Sequence, residues 1–206
     1  MPIAAKEKKE RALGVKLFLK AHRCNSPKCA MIKKPYRPGA HGQSRKRKIM
    51  SELGRQWREN QKIKLTYGLN DSQTLRLVKN ALRNPEVTGE KMIELLEKRL
   101  DNAVYRLGFA PSRIVARQFV NHGHITVNGR KTASPSHKVK IGDVIALREQ
   151  SKNLKPFVDL PELLKKYEPP SWLVLEHDKL DGKVVSAPKN IEAPFDLNLV
   201  VDYYSK

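Results

Sequence analysis

The stretch from Leu95 to Leu147 decides the fold of this chain, and it reads LLEKRLDNAVYRLGFAPSRIVARQFVNHGHITVNGRKTASPSHKVKIGDVIAL. Its first part carries apolar residues at helical spacing, namely Leu96, Leu100, Ala103, Val104 and Leu107. Gly108 then supplies the left-handed residue that commonly closes a helix, and Pro111 prevents continuation. The pattern predicts one helix with an apolar face, ending near Gly108.

A second amphipathic helix is predicted after Ser112, whose side chain is a good N-terminal cap. Its inward residues are apolar, and they are Val115, Ala116, Phe119 and Val120. Polar side chains recur every fourth position on another face, at Arg113, Arg117 and Asn121. Because residues four apart are neighbours on a helix surface, this face presents two arginines side by side until Gly123 ends the helix.

A hairpin is predicted directly after the second helix. Ile125–Val127 alternates apolar and polar residues, and Asn128-Gly129 is the strongest short hairpin signal that a sequence offers. Arg130-Lys131 opens the returning strand, and a turn at residues 141–143 precedes the apolar strand Val144–Leu147. Two helices and a hairpin rich in Arg and Lys indicate a compact RNA-binding module.

The charge of the chain points to the same class of partner. Its 206 residues include 41 Lys and Arg against 21 Asp and Glu, a formal charge of +20. In a soluble protein this balance most often indicates a polyanion, and nucleic acid is the default. Residues 1–50 hold 15 basic against 2 acidic residues, residues 51–150 hold 18 against 10, and residues 151–206 hold 8 against 9. We expect the partner along the first three quarters of the chain.

Membrane and secreted classes are not expected. No stretch approaches the roughly 18 apolar residues that a membrane helix needs, and Lys16 and Lys20 interrupt the apolar patch Val15–Leu19. The two cysteines, Cys24 and Cys29, cannot form a disulfide framework, which fits a reducing compartment.

Residues 1–48 predict a basic extended arm, because they are rich in Lys, Arg, Pro and Gly and show little periodicity. At most one short helix is expected there, around Lys6–Leu19. An unbroken basic run closes the arm, at Arg45, Lys46, Arg47 and Lys48. The run is either a solvated stretch of charge or a phosphate-binding segment.

Two helices are predicted after the arm. Ser51 caps the first, which ends at Gly68 and buries Leu53 and Trp57. Its cations share one stripe, at Arg55, Arg58 and Lys62.

Asn70 or Asp71 caps the second helix, and Pro85 stops it. Its inward residues are Leu75, Val78 and Leu82. Its cations are Arg76, Lys79 and Arg83. Each stripe is either an ordinary wet helix face or part of an RNA surface, and their repetition favours RNA.

The acidic-leaning tail predicts a linker with a short helix, Pro161–Lys166, followed by short strands. The strands are Trp172–Leu175, Lys183–Val185 and Leu197–Tyr204, with a turn at Asp181-Gly182 between the first two. The tail is too short for a convincing core of its own, so we expect it to pack onto the N-terminal helices.

Fragments in a fixed order along nearly the whole chain match a known family. They are Leu17-Phe18-Leu19-Lys20, Arg23-Cys24, Lys28-Cys29, Pro38-Gly39-Ala40-His41-Gly42, Thr88-Gly89-Glu90, Arg99-Leu100-Asp101-Asn102, Val104-Tyr105-Arg106-Leu107-Gly108-Phe109, Ala116-Arg117-Gln118, His122-Gly123-His124-Ile125, Val127-Asn128-Gly129, Gly142-Asp143-Val144 and Tyr203-Tyr204-Ser205-Lys206. With these fragments the chain resembles the bacterial small-subunit ribosomal protein four family.

The resemblance implies an α+β protein with two domains. Residues 49–90 would form a helical domain completed by 170–206, residues 91–150 a small helix-helix-β domain that binds RNA, and residues 151–169 a linker with a short helix. It also implies a cytoplasmic protein of the small ribosomal subunit that binds the five-prime domain junction of small-subunit rRNA early in assembly. Ribosomal proteins three and five would be its neighbours, and messenger RNA (mRNA) would enter the subunit nearby, facing Arg45–Lys48.

The RNA-binding residues expected in the second domain are Arg113, Arg117, Asn121, His122 and His124, flanked by Arg130 and Lys131. Tyr105, Phe109 and Phe119 are expected in the core rather than as stacking platforms, because they share the apolar spacing.

The cysteines depart from the family pattern. Members with zinc carry two pairs of cysteines, whereas this chain resembles only the second pair, Cys24 and Cys29. Two thiolates do not complete a tetrahedral site, so no zinc or other cofactor is expected; His22 and His41 are the residues that would supply the missing ligands.

Two alternative functions share the central stretch. Pseudouridine synthases carry the same small module, and Arg99-Leu100-Asp101 superficially resembles the motif around their catalytic aspartate. No separate catalytic domain is left in this chain, so we expect no enzyme activity. A non-ribosomal RNA-binding module would lack the flanking fragments, such as 38–42 and 203–206.

Overall fold

A computed structural model of the chain describes residues 5–44, 50–83, 88–176, 179–189, 191 and 194–205. The helices are α1 (Lys6–Leu13), α2 (Ala21–Cys24), α3 (Ala30–Lys33), α4 (Glu52–Tyr67), α5 (Asp71–Ala81), α6 (Thr88–Glu97), α7 (Leu100–Arg106), α8 (Arg113–Asn121), α9 (Glu149–Lys152), α10 (Lys155–Val158), α11 (Leu160–Leu164) and α12 (Leu197–Ser205). The strands are β1 (Ile125–Val127), β2 (Arg130–Lys131), β3 (Val144–Leu147), β4 (Leu173–Glu176) and β5 (Asp181–Val184).

The chain divides into two compact units. The first comprises Met1–Gly89 with Glu192–Lys206, and the second is the continuous segment Glu90–Ile191. The first unit is helical and the second combines helices with an antiparallel sheet, which confirms the α+β class.

Residues 5–44 are folded around a buried carboxylate, which corrects the expectation of an extended arm. Glu10 is 1% exposed, and its Oε1 accepts hydrogen bonds from the backbone N–H groups of Leu17 (3.0 Å) and Leu19 (3.2 Å). Cys24 and Cys29, which follow these leucines in the sequence, are also buried. The carboxylate organises the turn after α1, and α2 and α3 extend the fold beyond the single helix expected.

Helix α4 begins and ends where the sequence predicts, with Ser51 Oγ accepting from Gly54 N–H and Gly68 at a φ of 62°. Its buried face differs from the prediction. Leu53 and Trp57 are 60% and 51% exposed, whereas the polar residues Gln56 and Asn60 are fully buried.

The final helix explains this inversion. Asn60 Nδ2 donates to Tyr204 Oη of α12 (3.1 Å), and Tyr204 O–H in turn reaches Asn60 Oδ1 (3.3 Å). The buried face of α4 therefore carries polar groups because α12 supplies partners for one of them.

Helix α5 starts with a capping box between Asn70 and Gln73, as one of the two predicted caps requires. Val78 is buried as expected, but Leu82 is 40% exposed because it is the C-terminal cap rather than an interior residue. Thr74 and Ala81 are buried instead. The predicted stop at Pro85 lies outside the described residues.

Helix α12 corrects the predicted strand Leu197–Tyr204. Asp196 Oδ1 accepts from the backbone N–H groups of Asn198 (3.0 Å) and Leu199 (3.4 Å), which is how a capping carboxylate starts a helix. Val200 is fully buried. The helix packs on α4 and α5, so the last segment of the tail belongs to the first unit.

The single helix predicted from Leu96 to Leu107 is broken into α6 and α7. Between them Val139 N–H donates to Lys98 C=O (2.9 Å) and Leu100 N–H donates to His137 C=O (2.8 Å). Arg99 has extended backbone and pairs with Lys138 as an isolated bridge. The segment 135–139 thus takes hydrogen bonds that a continuous helix would have used.

The sheet of the second unit has the order β2-β1-β3-β5-β4, and every neighbouring pair is antiparallel. The predicted hairpin is present, with Asn128 and Gly129 both at positive φ (51° and 75°). Its register pairs Val127 with Arg130.

Strands β4 and β5 correct the expectation that the whole tail packs on the N-terminal helices. β5 pairs with β3, matching Ile145 to Gly182, so this part of the tail completes the sheet of the second unit. β5 begins at Asp181, where the sequence predicts a turn. Leu180, just before it, has the positive φ (57°).

The segment expected to be a linker also belongs to the second unit. It contains α10 and α11 in place of the one helix predicted at Pro161–Lys166. Phe157, Leu160 and Leu164 are buried in the same core as Val120 and Ile145. A loosely attached linker would leave these side chains in water.

Candidate nucleic-acid interface

Helix α8 positions the two arginines that the sequence singles out. Ser112 Oγ accepts from Val115 N–H (3.4 Å), and Ala116, Phe119 and Val120 bury the opposite face. Arg113 and Arg117 lie on the other side, where they remain 19% and 27% exposed. Their guanidinium groups are engaged within the unit, which the sequence pattern does not reveal.

A buried carboxylate holds Arg113 and its neighbours. Glu97 is fully buried and accepts from Arg106 Nε (2.8 Å), Arg106 Nη2 (3.1 Å) and Asn102 Nδ2 (2.8 Å). Arg113 Nε donates to Asn102 Oδ1 (2.7 Å), and Arg113 Nη2 lies 3.8 Å from Glu97 Oε1. The Arg113 guanidinium also lies 4.6 Å from the centre of the Tyr105 ring. These contacts orient the guanidinium of a side chain that is still 19% exposed.

A second buried carboxylate lies under Arg117. Asp101 is 4% exposed and is gripped by Arg99 through two bonds, Nε at 3.1 Å and Nη2 at 2.8 Å. Arg117 Nη1 lies 3.8 Å from Asp101 Oδ2. The Asp101 carboxylate is thus the charged partner of Arg99 and Arg117, which is a structural role within the second unit.

His124 is held against the core beside other cations. Its Nδ1 is 3.0 Å from Ser151 Oγ, and its ring packs edge-on against Phe119 and Phe157. Burial lowers the pKa of His124, and the positive groups of His122, Arg148 and Lys131 lower it further. The side chain thus contributes a neutral hydrogen-bonding ring near neutral pH, within a basic neighbourhood.

The hairpin brings further positive charge to this neighbourhood. Arg130 and Lys131 are exposed on β2, and Asn121 and His122 are exposed at the end of α8. The Lys131 side chain crosses Gly123, where an added Cβ would lie 2.2 Å from Lys131 Cε. Gly123 therefore has two roles, since its φ is 75° and its lack of a side chain admits Lys131.

The structure thus brings the predicted residues of the second unit into two groups. Arg113 and Arg117 lie over the buried carboxylates, and His122, His124 and Lys131 cluster where α8 meets the hairpin. Tyr105 is half-buried beneath Arg113, while Phe109 and Phe119 are in the core.

The first unit contains a basic groove that sequence reasoning missed. It has a volume of about 510 Å³, and its cationic lining residues are Lys6, Lys8, Arg11, Lys20, Arg23, Lys28, Lys33 and Lys34. Glu7 is the acidic residue of this lining; it pairs with Arg23 (2.9 Å) and Lys20 (3.7 Å). We name this site the arm groove. The regional charge of residues 1–50 was the available signal, but only the folding around Glu10 shows which cations converge.

Arg11 is part of the framework of the arm groove. Its Nε donates to the carbonyl oxygens of Lys34 (2.9 Å) and Tyr36 (3.1 Å), and its guanidinium lies 4.9 Å from the centre of the Tyr36 ring. It therefore ties α1 to the segment after α3 and keeps the cations of both segments together.

The predicted cations of α4 and α5 differ in availability. Arg55, Arg76, Lys79 and Arg83 are exposed, while Arg58 and Lys62 are half-buried and Lys62 Nζ pairs with Glu59 at 2.5 Å. The run Arg45, Lys46, Arg47 and Lys48 lies outside the described residues. Exposed lysines and arginines on neighbouring helices suit phosphate contacts, which need charge more than fixed geometry.

The cysteines lie in the arm, beside Glu10. Cys24 Sγ is 3.9 Å from Glu10 Oε2, and burial raises the pKa of the Cys24 thiol. Across the described ranges, no group of three or more His, Cys, Asp and Glu is placed to hold a metal ion. The side chain of His22 is not among those described. The absence of zinc stays a prediction, which metal analysis of the purified protein and of its Cys24→Ser variant would test.

Among the described residues, none of the helices is long and apolar enough to cross a membrane.

Comparison with known proteins assigns the family. Residues 3–97 match the model described as Ribosomal protein S4/S9 N-terminal domain, and residues 98–145 match the model described as S4 domain. The chain is 48% identical over 198 residues to small ribosomal subunit protein uS4 of Pelotomaculum thermopropionicum, which covers 95% of this chain and 94% of that protein. It is 46% identical, with the same coverage, to proteins of that name in Natranaerobius thermophilus and Caldicellulosiruptor bescii. These matches span both units and confirm the resemblance, so the chain belongs to the ribosomal protein uS4 family.

Proposed function

We propose that this chain docks on the five-prime domain of small-subunit rRNA, at a junction of several helices, and does so early in subunit assembly. As a member of the uS4 family it is a structural constituent of the small ribosomal subunit that binds rRNA, and it is not an enzyme. The proposal extends this to the place of docking. It also places the chain in the cytoplasm, with ribosomal proteins three and five as neighbours and mRNA passing near Arg45–Lys48.

The observation that carries the proposal is the preorganisation of Arg113 and Arg117. Arg113 is oriented by Asn102 and Glu97, and Arg117 lies 3.8 Å from Asp101, while 19% and 27% of the two side chains remain exposed. Ordering a free arginine on binding costs conformational entropy, and most of that cost is removed here. Two guanidinium groups held at a set separation bind best to phosphates with the matching separation. A rigid protein can distinguish a folded junction from a simple duplex in this way, because the two differ in the arrangement of their phosphates.

The other basic and polar side chains supply affinity rather than position. We assign RNA contacts to the arm groove, to the basic run 45–48, to α4 and α5, and to the residues where α8 meets the hairpin. The assigned residues outside the arm groove are Arg45, Lys46, Arg47, Lys48, Arg55, Arg58, Lys62, Arg76, Lys79, Arg83, Asn121, His122, His124, Arg130 and Lys131. Each phosphate neutralised releases counterions, so affinity should fall steeply as salt is raised.

The test is a binding titration with a transcript of the five-prime domain and with a fully paired RNA of equal length, across a salt series. The protein should prefer the transcript strongly at every salt concentration. Equal binding to both RNAs would remove the junction from the proposal and leave a basic protein that binds any RNA.

A double variant, Arg113→Ala with Arg117→Ala, should weaken binding to the transcript by well over tenfold. The matched control removes the same charge from Lys165 and Lys166, which are exposed in the tail, and should change affinity much less. The circular dichroism spectrum must match the parent, since the arginines also compensate buried carboxylates. Unchanged affinity in the folded double variant would exclude α8 from the interface.

A further inference from the structure

One face of α4 is apolar and exposed although the helix has a buried face available. Trp57 is 51% exposed and Leu53 is 60% exposed, while Gln56 and Asn60 on the other face of the helix are fully buried. Burying a large apolar side chain is worth about 1.5–3 kcal/mol, so an exposed tryptophan is the kind of departure that indicates a binding surface.

Trp57 lines a groove of about 480 Å³ within the first unit. Pro38 and Met50 form apolar parts of the wall, and Lys9, Arg37 and Arg58 add cations. We name this site the Trp57 groove. Its size lies in the range of sites that hold a small organic molecule, and one nucleotide fits that range.

The charge of the Trp57 groove selects among possible occupants. Its lining within the described residues includes three cations and no Asp or Glu. Among the described residues, the side chains of Arg37 and Arg58 have no hydrogen-bonding or ion-pairing partner. An aromatic plane beside uncompensated guanidinium groups matches a base with its phosphate, whereas a purely apolar partner would leave the cations unused.

We infer that the Trp57 groove receives an unpaired nucleotide of the bound RNA, with the base stacked on the Trp57 ring and a phosphate held by Arg37 and Arg58. A base in a duplex cannot occupy the groove, because its faces are already stacked on neighbouring pairs. Stacking on an aromatic side chain tolerates any base, so the groove selects single-stranded RNA rather than a sequence. The inference rests on the proposed RNA-binding function and assigns a subsite to it.

Tryptophan fluorescence tests the subsite directly. The chain has two tryptophans, and Trp172 is 2% exposed in the core of the second unit. The five-prime domain transcript should quench the wild-type emission, and the Trp57→Phe variant should lose that response because Trp172 remains buried. A fully paired RNA of equal length should quench little.

Affinity provides the second readout. Trp57→Ala should weaken binding of the transcript about tenfold, the ratio that a base-stacking contact of intermediate strength supports, and Trp57→Tyr should retain most of the affinity. Replacing Arg37 and Arg58 by Ala should lower the slope of log affinity against log salt by about 0.7, because the two arginines hold one phosphate and each single-stranded phosphate contact contributes about that much. The Lys165 and Lys166 double variant is again the control.

The outcomes separate this inference from the proposed function. If the wild type prefers the transcript but Trp57 emission does not change, or if Trp57→Ala binds as tightly as the parent, the subsite is wrong and the docking proposal stands. Equal quenching by paired RNA also overturns the subsite. Quenching by a protein neighbour and not by RNA would reassign the groove to a protein contact. Loss of all preference for the transcript refutes the docking proposal itself.

Discussion

Glu97→Gln should destabilise the second unit strongly although it preserves the volume of the side chain. The native carboxylate is fully buried, accepts three side-chain hydrogen bonds from Arg106 and Asn102, and lies 3.8 Å from Arg113 Nη2. A neutral amide leaves the two guanidinium groups without their compensating charge and turns an N–H group toward them.

The magnitude follows from the exposure of the partners. Removing one member of a buried ion pair costs about 3–5 kcal/mol when the other member is also sealed from water. Here Arg106 and Arg113 are 28% and 19% exposed, so they recover part of their hydration. We therefore expect a loss of about 2–3 kcal/mol in the free energy of unfolding of this unit.

Urea denaturation in the Trp57→Phe background measures this loss, because Trp172 is then the sole tryptophan and reports on the second unit. With a slope of about 1.5 kcal/mol per molar urea, the midpoint should fall by roughly 1.3–2 M. The control is Glu149→Gln, which removes a surface partner of Lys152 from a carboxylate 83% exposed and should change the midpoint little. A midpoint for Glu97→Gln within about 0.3 M of the parent would refute the account of Glu97 as the charge that anchors Arg106 and Arg113.

Three further predictions test the second and first units. Burial lowers the pKa of His124, so the unfolded chain binds the proton more readily than the folded one. His124 therefore contributes stability that is complete above the unfolded pKa of about 6.5 and is lost as the pH falls through the lower folded pKa. Urea midpoints at pH 7.5 and 5.5 should differ less in His124→Gln than in the parent, and an unchanged difference would contradict this. Gly182→Ala places a Cβ 2.3 Å from the fully buried Leu107, so the free energy of unfolding of the second unit should fall by about 1–3 kcal/mol. Thermal denaturation measures this, and a variant that melts at the same temperature as the parent would show that the core accommodates the methyl group without cost. Tyr204→Phe removes the side-chain partner of buried Asn60 and should cost about 1–2 kcal/mol in the first unit, measured from helical circular dichroism in urea; a variant as stable as the parent would mean that water replaces the hydroxyl.

The central module was largely predictable because local signals and the final fold agree there. Ser112 caps α8, Asn128-Gly129 forms the hairpin turn, and the apolar spacing of α8 matches its buried face. The regional charge likewise indicates an RNA partner without any structure. In these segments, a few residues close in sequence determine the conformation.

Other features depended on contacts between distant segments. The helix from Leu96 to Leu107 breaks at Arg99 because residues 135–139 take its hydrogen bonds, and the tail divides because β5 pairs with β3 while α12 packs on α4. Helical periodicity predicts that Trp57 is in the core. The sequence pattern does not contain the information that α12 provides a hydrogen-bonding partner for Asn60 on the other face of α4.

The sequence by itself determined the family, the RNA-binding class and the α+β composition of this protein, since these follow from motifs, charge and local capping. Only the tertiary structure decided what each arginine can do. Arg113 and Arg117 are equivalent to other surface cations in the sequence, and they become partly buried, oriented side chains because folding buries Glu97 and Asp101 beside them. Burial removes water from the carboxylates, so the attraction that orients each guanidinium is much stronger than on an open helix surface.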